Sequence, residues 1–187
     1  MDNELQEIKK DIRKKMKLDF IIPDDIPNEK MFIDQVISFL EEEFKNNVRN
    51  KDEKTLTKAM VNNYTKNKLL PPPDKKKYTR DHLIYLIYIY YMKNVMSLSD
   101  IQKVMEPLLD KKMTSAKLYE IYKKTFEMEK SEYFNIEASA AKAASITEKK
   151  VPKDEDEQLN KMLYIFMLGY DIYSKKRLIE KLIDEMD

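Results

Sequence analysis

The chain has 187 residues, enough for one domain or for a small domain with a helical extension. Charged residues make up 37% and apolar residues 42%, a balance that fits solvated helices around a real core. One glycine and no cysteine argue against glycine-dependent hairpins and phosphate loops, and exclude disulfides and thiolate metal sites. The start, MDNELQEIKKDIRKK, lacks the apolar stretch of a signal peptide. The longest apolar run, Leu83 to Met92, is too short to span a bilayer and reads as a buried helix. The expectation is an all-α, cytoplasmic protein that does not engage membranes.

Charge is unevenly spread. Residues 49–80 hold 10 basic and 3 acidic side chains, a surplus of +7, although the whole chain carries only +1. A local block of this kind points to a polyanionic partner.

In chain order, Leu5, Ile8, Ile12 and Met16 predict a first amphipathic helix. Phe20 to Pro27 reads as an extended connector, since each proline disfavours helix before it. Asn28 is a candidate cap for a second helix with Phe32, Val36, Phe39, Leu40 and Phe44 along one side. Asn46 to Lys54 is polar and reads as a loop. Thr57 can cap a third helix to about Asn67, and Thr79 a fourth with Asp81 in its first turn. Short strands are expected only near Leu69-Leu70 and Lys77-Tyr78. Ser97 opens a fifth helix striped with Ile101, Val104, Met105 and Leu108, whose end Pro107 distorts. A sixth starts near Thr114 and carries Leu118, Ile121, Tyr122 and Phe126. EASAAKAAS, Glu137 to Ser145, has high helix propensity and little to anchor it. Beyond Val151-Pro152, acids 154–157 open a C-terminal helical region where Leu163, Phe166, Met167, Tyr170, Leu178, Leu182 and Met186 are expected to be buried.

Catalytic chemistry finds no foothold, so the chain is not expected to be an enzyme or to need a cofactor or metal. Its single histidine, His82, reads as a surface or half-buried helix residue. One glycine builds neither a phosphate-binding loop nor a nucleophile elbow.

The third helix is more informative. On a wheel, Met60, Val61 and Tyr64 share one side, while Ala59, Asn62, Asn63 and Lys66 share the other. Amides can make bidentate contacts with adenine, lysines meet phosphates or guanine, and a small alanine permits close approach to a groove. Downstream, Lys68, Lys75, Lys76, Lys77 and Arg80 flank a proline-rich turn.

In this order, LTKAMVNNYTKNKLLPP (Leu56 to Pro72) resembles the recognition-helix segment of MerR-type winged helix-turn-helix regulators. Lys77 to Leu83 resembles the end of the wing in that family, and Met96 to Ile101 the entry to its fourth helix. With Ile26 to Phe44 added, the chain also resembles an uncharacterised bacterial domain-of-unknown-function family with a MerR-like core. It departs from the MerR pattern at Asn62, usually arginine, at Lys68, usually glycine, and in a short wing without a glycine tip.

The resemblance implies three parts: an N-terminal helix and connector (1–25), a MerR-like winged helix-turn-helix core (26–110) and a C-terminal helical dimerisation or sensing region (111–187). It implies a DNA-binding transcriptional regulator acting on double-stranded DNA. Lys58, Asn62, Asn63 and Lys66 would face bases or phosphates, and Lys68, Lys75, Lys76, Lys77 and Arg80 would hold the backbone. A homodimer through residues 114–134 and 155–186 is the expected assembly. C-terminal aromatics such as Tyr119, Tyr164 and Tyr170 offer material for a small-molecule effector pocket, although helical spacing favours a core role. The alternative is a helical protein-interaction module on the same scaffold that does not bind DNA.

Overall fold

A computed structural model describes residues 2–50 and 52–186, with the Leu5 side chain and Lys51 of the predicted loop outside the described part. Its elements are α1 (Asp2–Lys15), β1 (Met31–Phe32), α2 (Ile33–Glu43), α3 (Lys58–Lys66), β2 (Lys77–Tyr78), α4 (Arg80–Met92), α5 (Leu98–Leu109), α6 (Ser115–Lys150) and α7 (Glu157–Asp184). The expected helical class is borne out. Among the described residues no helix is long and apolar enough to cross a membrane. The chain divides into two compact units, residues 18–127 and residues 1–17 with 128–185.

The first unit is built around α4. Leu83, Ile84, Tyr85, Leu86, Ile87, Ile89 and Tyr90 are all buried, so the apolar run is a helix enclosed on nearly every side. Its tyrosines keep their hydroxyls satisfied, with Tyr85 Oη donating to the Leu108 carbonyl at 3.0 Å and Tyr88 Oη within 2.9 Å of Thr125 Oγ1. Val36, Leu40 and Phe44 of α2 and Val61 and Tyr64 of α3 pack into the same core. Phe44 stacks on Tyr90 with ring centroids 4.2 Å apart.

The connector is pinned at two points. Tyr122 Oη of α6 donates to the buried Ile21 carbonyl at 2.7 Å. Asp19 accepts from the Asn46 backbone and side chain, each at 2.8 Å, tying the connector to the end of α2.

Two expectations fail at the start of α2. Asn28 does not cap it; the helix begins at Ile33, and Gln35 Oε1 reaches back to the Phe32 N–H at 2.9 Å. Phe32 accordingly leaves the buried stripe and stands exposed on β1. The strand expected at Leu69-Leu70 does not form, and β2 pairs instead with β1, with Met31 opposite Tyr78 and Phe32 opposite Lys77. The neighbouring prolines were a local cue for extended backbone, whereas strand pairing needs a distant partner.

In the second unit, the alanine-rich stretch is part of continuous α6. Ala140 and Ala141 are buried against Ile12 of α1, with Ile8, Met16 and Leu168 around them. Arg13 grips the buried Glu137 carboxylate with two hydrogen bonds, at 2.9 and 3.1 Å. These contacts anchor a segment that its own composition leaves unanchored. Asp156 caps α7 by accepting from the Leu159 N–H at 2.9 Å. The predicted burial along α7 does not hold: Phe166, Met167, Tyr170, Leu178, Leu182 and Met186 are exposed and Leu163 is half-buried. The run is apolar on more than one face, and one inward face cannot take it all.

Candidate nucleic-acid interface

Helix α3 starts at Thr57, whose side chain accepts from the Met60 N–H at 3.2 Å. Val61 and Tyr64 are buried and Met60 half-buried, which turns Ala59, Asn62, Asn63 and Lys66 outward. The wheel reading of this helix therefore describes its actual inner and outer faces. Asn63 is held by Asn67, whose side-chain amide donates to its Oδ1 at 2.9 Å.

The helix stops through a Schellman motif. The Leu69 N–H bonds to the Tyr64 carbonyl at 2.9 Å and the Lys68 N–H to the Thr65 carbonyl at 3.1 Å. This requires a left-handed residue at position 68, and Lys68 supplies it with φ of 59°. Glycine is the usual occupant, because a Cβ crowds the following carbonyl there.

Lysine stands where glycine is usual twice more, in the turn before β2. The Lys77 N–H bonds to the Asp74 carbonyl at 2.9 Å, closing a two-residue turn over Lys75 and Lys76. Both central residues have positive φ, 49° and 64°, the signature of a type I′ hairpin turn normally made by Asn-Gly. A glycine-poor chain was expected to avoid such turns; it makes this one with lysines. Lys68, Lys75 and Lys76 are the positive-φ non-glycine residues of the described chain, and all three are exposed.

The remaining predicted residues are more engaged. Lys58 Nζ lies 2.5 Å from Asp34 Oδ1, so α2 brings an acid beside a helix whose own outer face has none. Lys77 Nζ sits 5.4 Å from the exposed Phe32 ring, and Asp74 in the turn is paired with Lys30 at 3.0 Å. Arg80 is turned towards the fold: its Nη2 donates to the Ile26 carbonyl at 3.2 Å and its guanidinium lies 4.3 Å from the Tyr119 ring centre. It ties the start of α4 to the connector.

His82, expected at the surface or half-buried, is buried in the first turn of α4. Its Nδ1 accepts from the Thr79 N–H at 3.1 Å and lies 2.8 Å from Thr79 Oγ1, so the histidine reaches back from inside the helix to Thr79, which stands at the N-cap of α4 as expected. An Nδ1 that accepts leaves the proton on Nε2, which is buried facing the Pro71 and Pro72 carbonyls without a hydrogen bond of normal geometry. Burial pushes the imidazole pKa below its ordinary value, with the Pro72 carbonyl and Asp81 pulling the other way.

The missed features differ in legibility. The sequence Lys68-Leu69-Leu70-Pro71 carries a helix-stop signature, an apolar residue after the stop and then proline. Nothing local marks Lys75-Lys76 as a hairpin tip or brings Asp34 to Lys58.

The first unit is thus a helical domain with a two-strand ladder and a tight basic turn between α3 and α4. A family model described as a domain of unknown function (DUF1836) matches residues 21–125, more than half of the chain, and the protein belongs to that family. No curated protein and no solved structure matches the chain.

Proposed function

We propose that the protein is a DNA-binding transcriptional regulator with a MerR-like winged helix-turn-helix core, reading duplex DNA with α3 and a basic wing. The observation that carries this reading is the placement of lysine at all three left-handed positions, Lys68, Lys75 and Lys76. Glycine or asparagine would relieve backbone crowding at each, so lysine there costs stability and supplies only an exposed cation. Three such sites bracketing one proline-rich segment favour a polyanion as the reason. Ala59, Asn62, Asn63 and Lys66 on the outer face of α3 add amide and cationic groups suited to groove edges and phosphates.

The same observation supplies a clean test. Lys75→Asn/Lys76→Gly keeps the turn and improves its backbone chemistry while removing two charges. Binding to duplex DNA, followed by fluorescence anisotropy at several salt concentrations, is expected to weaken with salt. In the double variant the slope should fall by about 2, from about 0.9 per phosphate contact. Salt-independent binding, or an unchanged slope in the variant, would sink the wing's role.

A second reading, a protein-interaction module without DNA binding, draws support from Asp34 and Asp74, the acids paired with Lys58 and Lys30 at the edges of the basic surface. Retention of a protein partner with no measurable affinity for any duplex would favour it.

A further inference from the structure

Residues 9–17, KKDIRKKMK, hold six basic side chains and one acidic. The fold divides them by task. Ile8, Ile12 and Met16 turn inward and pack with Ala140, Ala141 and Leu168. Arg13 holds the buried Glu137 carboxylate with two hydrogen bonds, and Lys15 pairs with Asp11, the one acid of the run, at 2.6 Å. Tyr133 Oη donates to the Met16 carbonyl at 3.3 Å and fixes the end of α1. Lys10 and Lys14, one helical turn apart, stand exposed on the opposite side, and Lys17 is exposed just beyond the helix end. Among the described residues none of these three lysines has an ion-pair partner.

Two ordinary explanations leave part of this charge unaccounted for. The helix dipole favours cations in the last turn, Arg13, Lys14 and Lys15, but its effect has faded by Lys9 and Lys10. Intrachain pairing accounts for Arg13 and Lys15 alone within the run. The crowding also has a cost, because Lys9 with Arg13 and Lys10 with Lys14 are like charges four residues apart on a helix. Asp2, Glu4 and Glu7 precede the run, so the charge summed over the whole helix conceals it.

We propose that the outer face of α1 is a second nucleic-acid contact, in which Lys10, Lys14 and Lys17 bind backbone phosphates. Dense basic runs of this kind are the usual footprint of a polyanion. A nucleic acid fits better than an anionic membrane, because a membrane-surface helix needs a free apolar face and that of α1 is already packed. It fits better than a protein partner, because α1 has no aromatic residue to anchor one. The grip of Arg13 on Glu137 presents the lysines on a fixed element, which lowers the ordering cost of binding. The choice of ligand rests on the duplex-binding reading, but the residues are separate from it. They belong to the second compact unit and lie outside the family match at 21–125. Contacts to phosphate raise affinity without changing sequence preference.

The test uses the full chain and a short DNA duplex, followed by fluorescence anisotropy over a salt series. Lys10→Gln/Lys14→Gln/Lys17→Gln should weaken binding and lower the salt slope by about 2–3, at about 0.9 per phosphate contact. Lys175→Gln/Lys176→Gln/Lys181→Gln, which removes the same charge from α7, should leave the slope unchanged. Far-ultraviolet circular dichroism should show helix content kept in both. An unchanged slope in the α1 variant, while Lys75→Asn/Lys76→Gly lowers it, overturns the α1 contact and leaves the duplex-binding reading standing. The opposite pattern overturns the role of the basic turn and leaves the α1 contact standing. An equal fall in the α7 variant shows an effect of net charge and overturns the proposal, and a wild-type chain that binds no duplex overturns both readings. Loss of binding to phosphatidylserine vesicles in the α1 variant, with its duplex slope unchanged, assigns the patch to a membrane and overturns the proposal.

Discussion

Three lysines hold backbone conformations that favour glycine, and this gives the sharpest predictions at the level of single residues. Lys68→Gly should stabilise the protein by about 1 kcal/mol, and Lys75→Asn/Lys76→Gly by about 1–2 kcal/mol, read from urea midpoints at constant m-value. The gain is tempered by the larger unfolded-state entropy of glycine. Stability rising while duplex affinity falls would mark these positions as kept for charge. His82 predicts a pH dependence. Its folded pKa lies below the ordinary histidine value, so below about pH 6.5 the unfolded chain takes up a proton that the folded chain resists. This contribution to stability is complete above that pH and is lost as pH falls towards the depressed folded value. His82→Ala should flatten the urea midpoint between mildly alkaline and mildly acidic buffer, and an unchanged profile would remove His82 as its source.

At the scale of elements, the helices depend on caps and on a few long-range hydrogen bonds. Ser97 caps α5, accepting from the Asp100 N–H at 3.2 Å, and Ser97→Ala should cost about 1 kcal/mol. Tyr122→Phe should cost about 1–2 kcal/mol, because the buried Ile21 carbonyl loses its 2.7 Å donor with no access to water. Both are measurable by chemical denaturation. The two losses should add, since one site starts α5 and the other joins α6 to the connector. α4 tolerates no such local view. Its tyrosines face several neighbours at once, which explains why a helix of weak amphipathic character is nonetheless the centre of its unit.

At the scale of the whole molecule, three boundaries coincide. The apolar cluster around α4 runs from Ile21 to Tyr122, the compact unit covers 18–127, and the family match covers 21–125. A fragment of residues 18–127 should therefore fold alone and unfold in one cooperative transition, with near-ultraviolet tyrosine signals retained. A fragment that lacks those signals would show that the unit needs the rest of the chain. If the fragment folds, it should also keep the salt-dependent duplex binding expected of the basic segment, since every contact proposed for that segment lies within it.

What the sequence determined by itself was local. Scarcity of glycine and the recurrence of apolar residues specified helices; Thr57 and Ser97 announced two helix starts by cap chemistry; and the wheel of α3 separated its inner from its outer side. These depend on neighbours a few residues apart, which the chain spells out in order. The tertiary structure alone decided whatever required a distant partner. Phe32 lost its place in the α2 stripe because β1 found β2, more than forty positions away. Arg80 gained its fold contacts only because Ile26 and Tyr119 lay within reach. The alanines of α6 gained an anchor only when α1 packed on them. The exposed face of α7 was hidden for the same reason in reverse. An apolar sequence states that a surface prefers to leave water, but only the packed structure shows which part of it the chain's own core can cover.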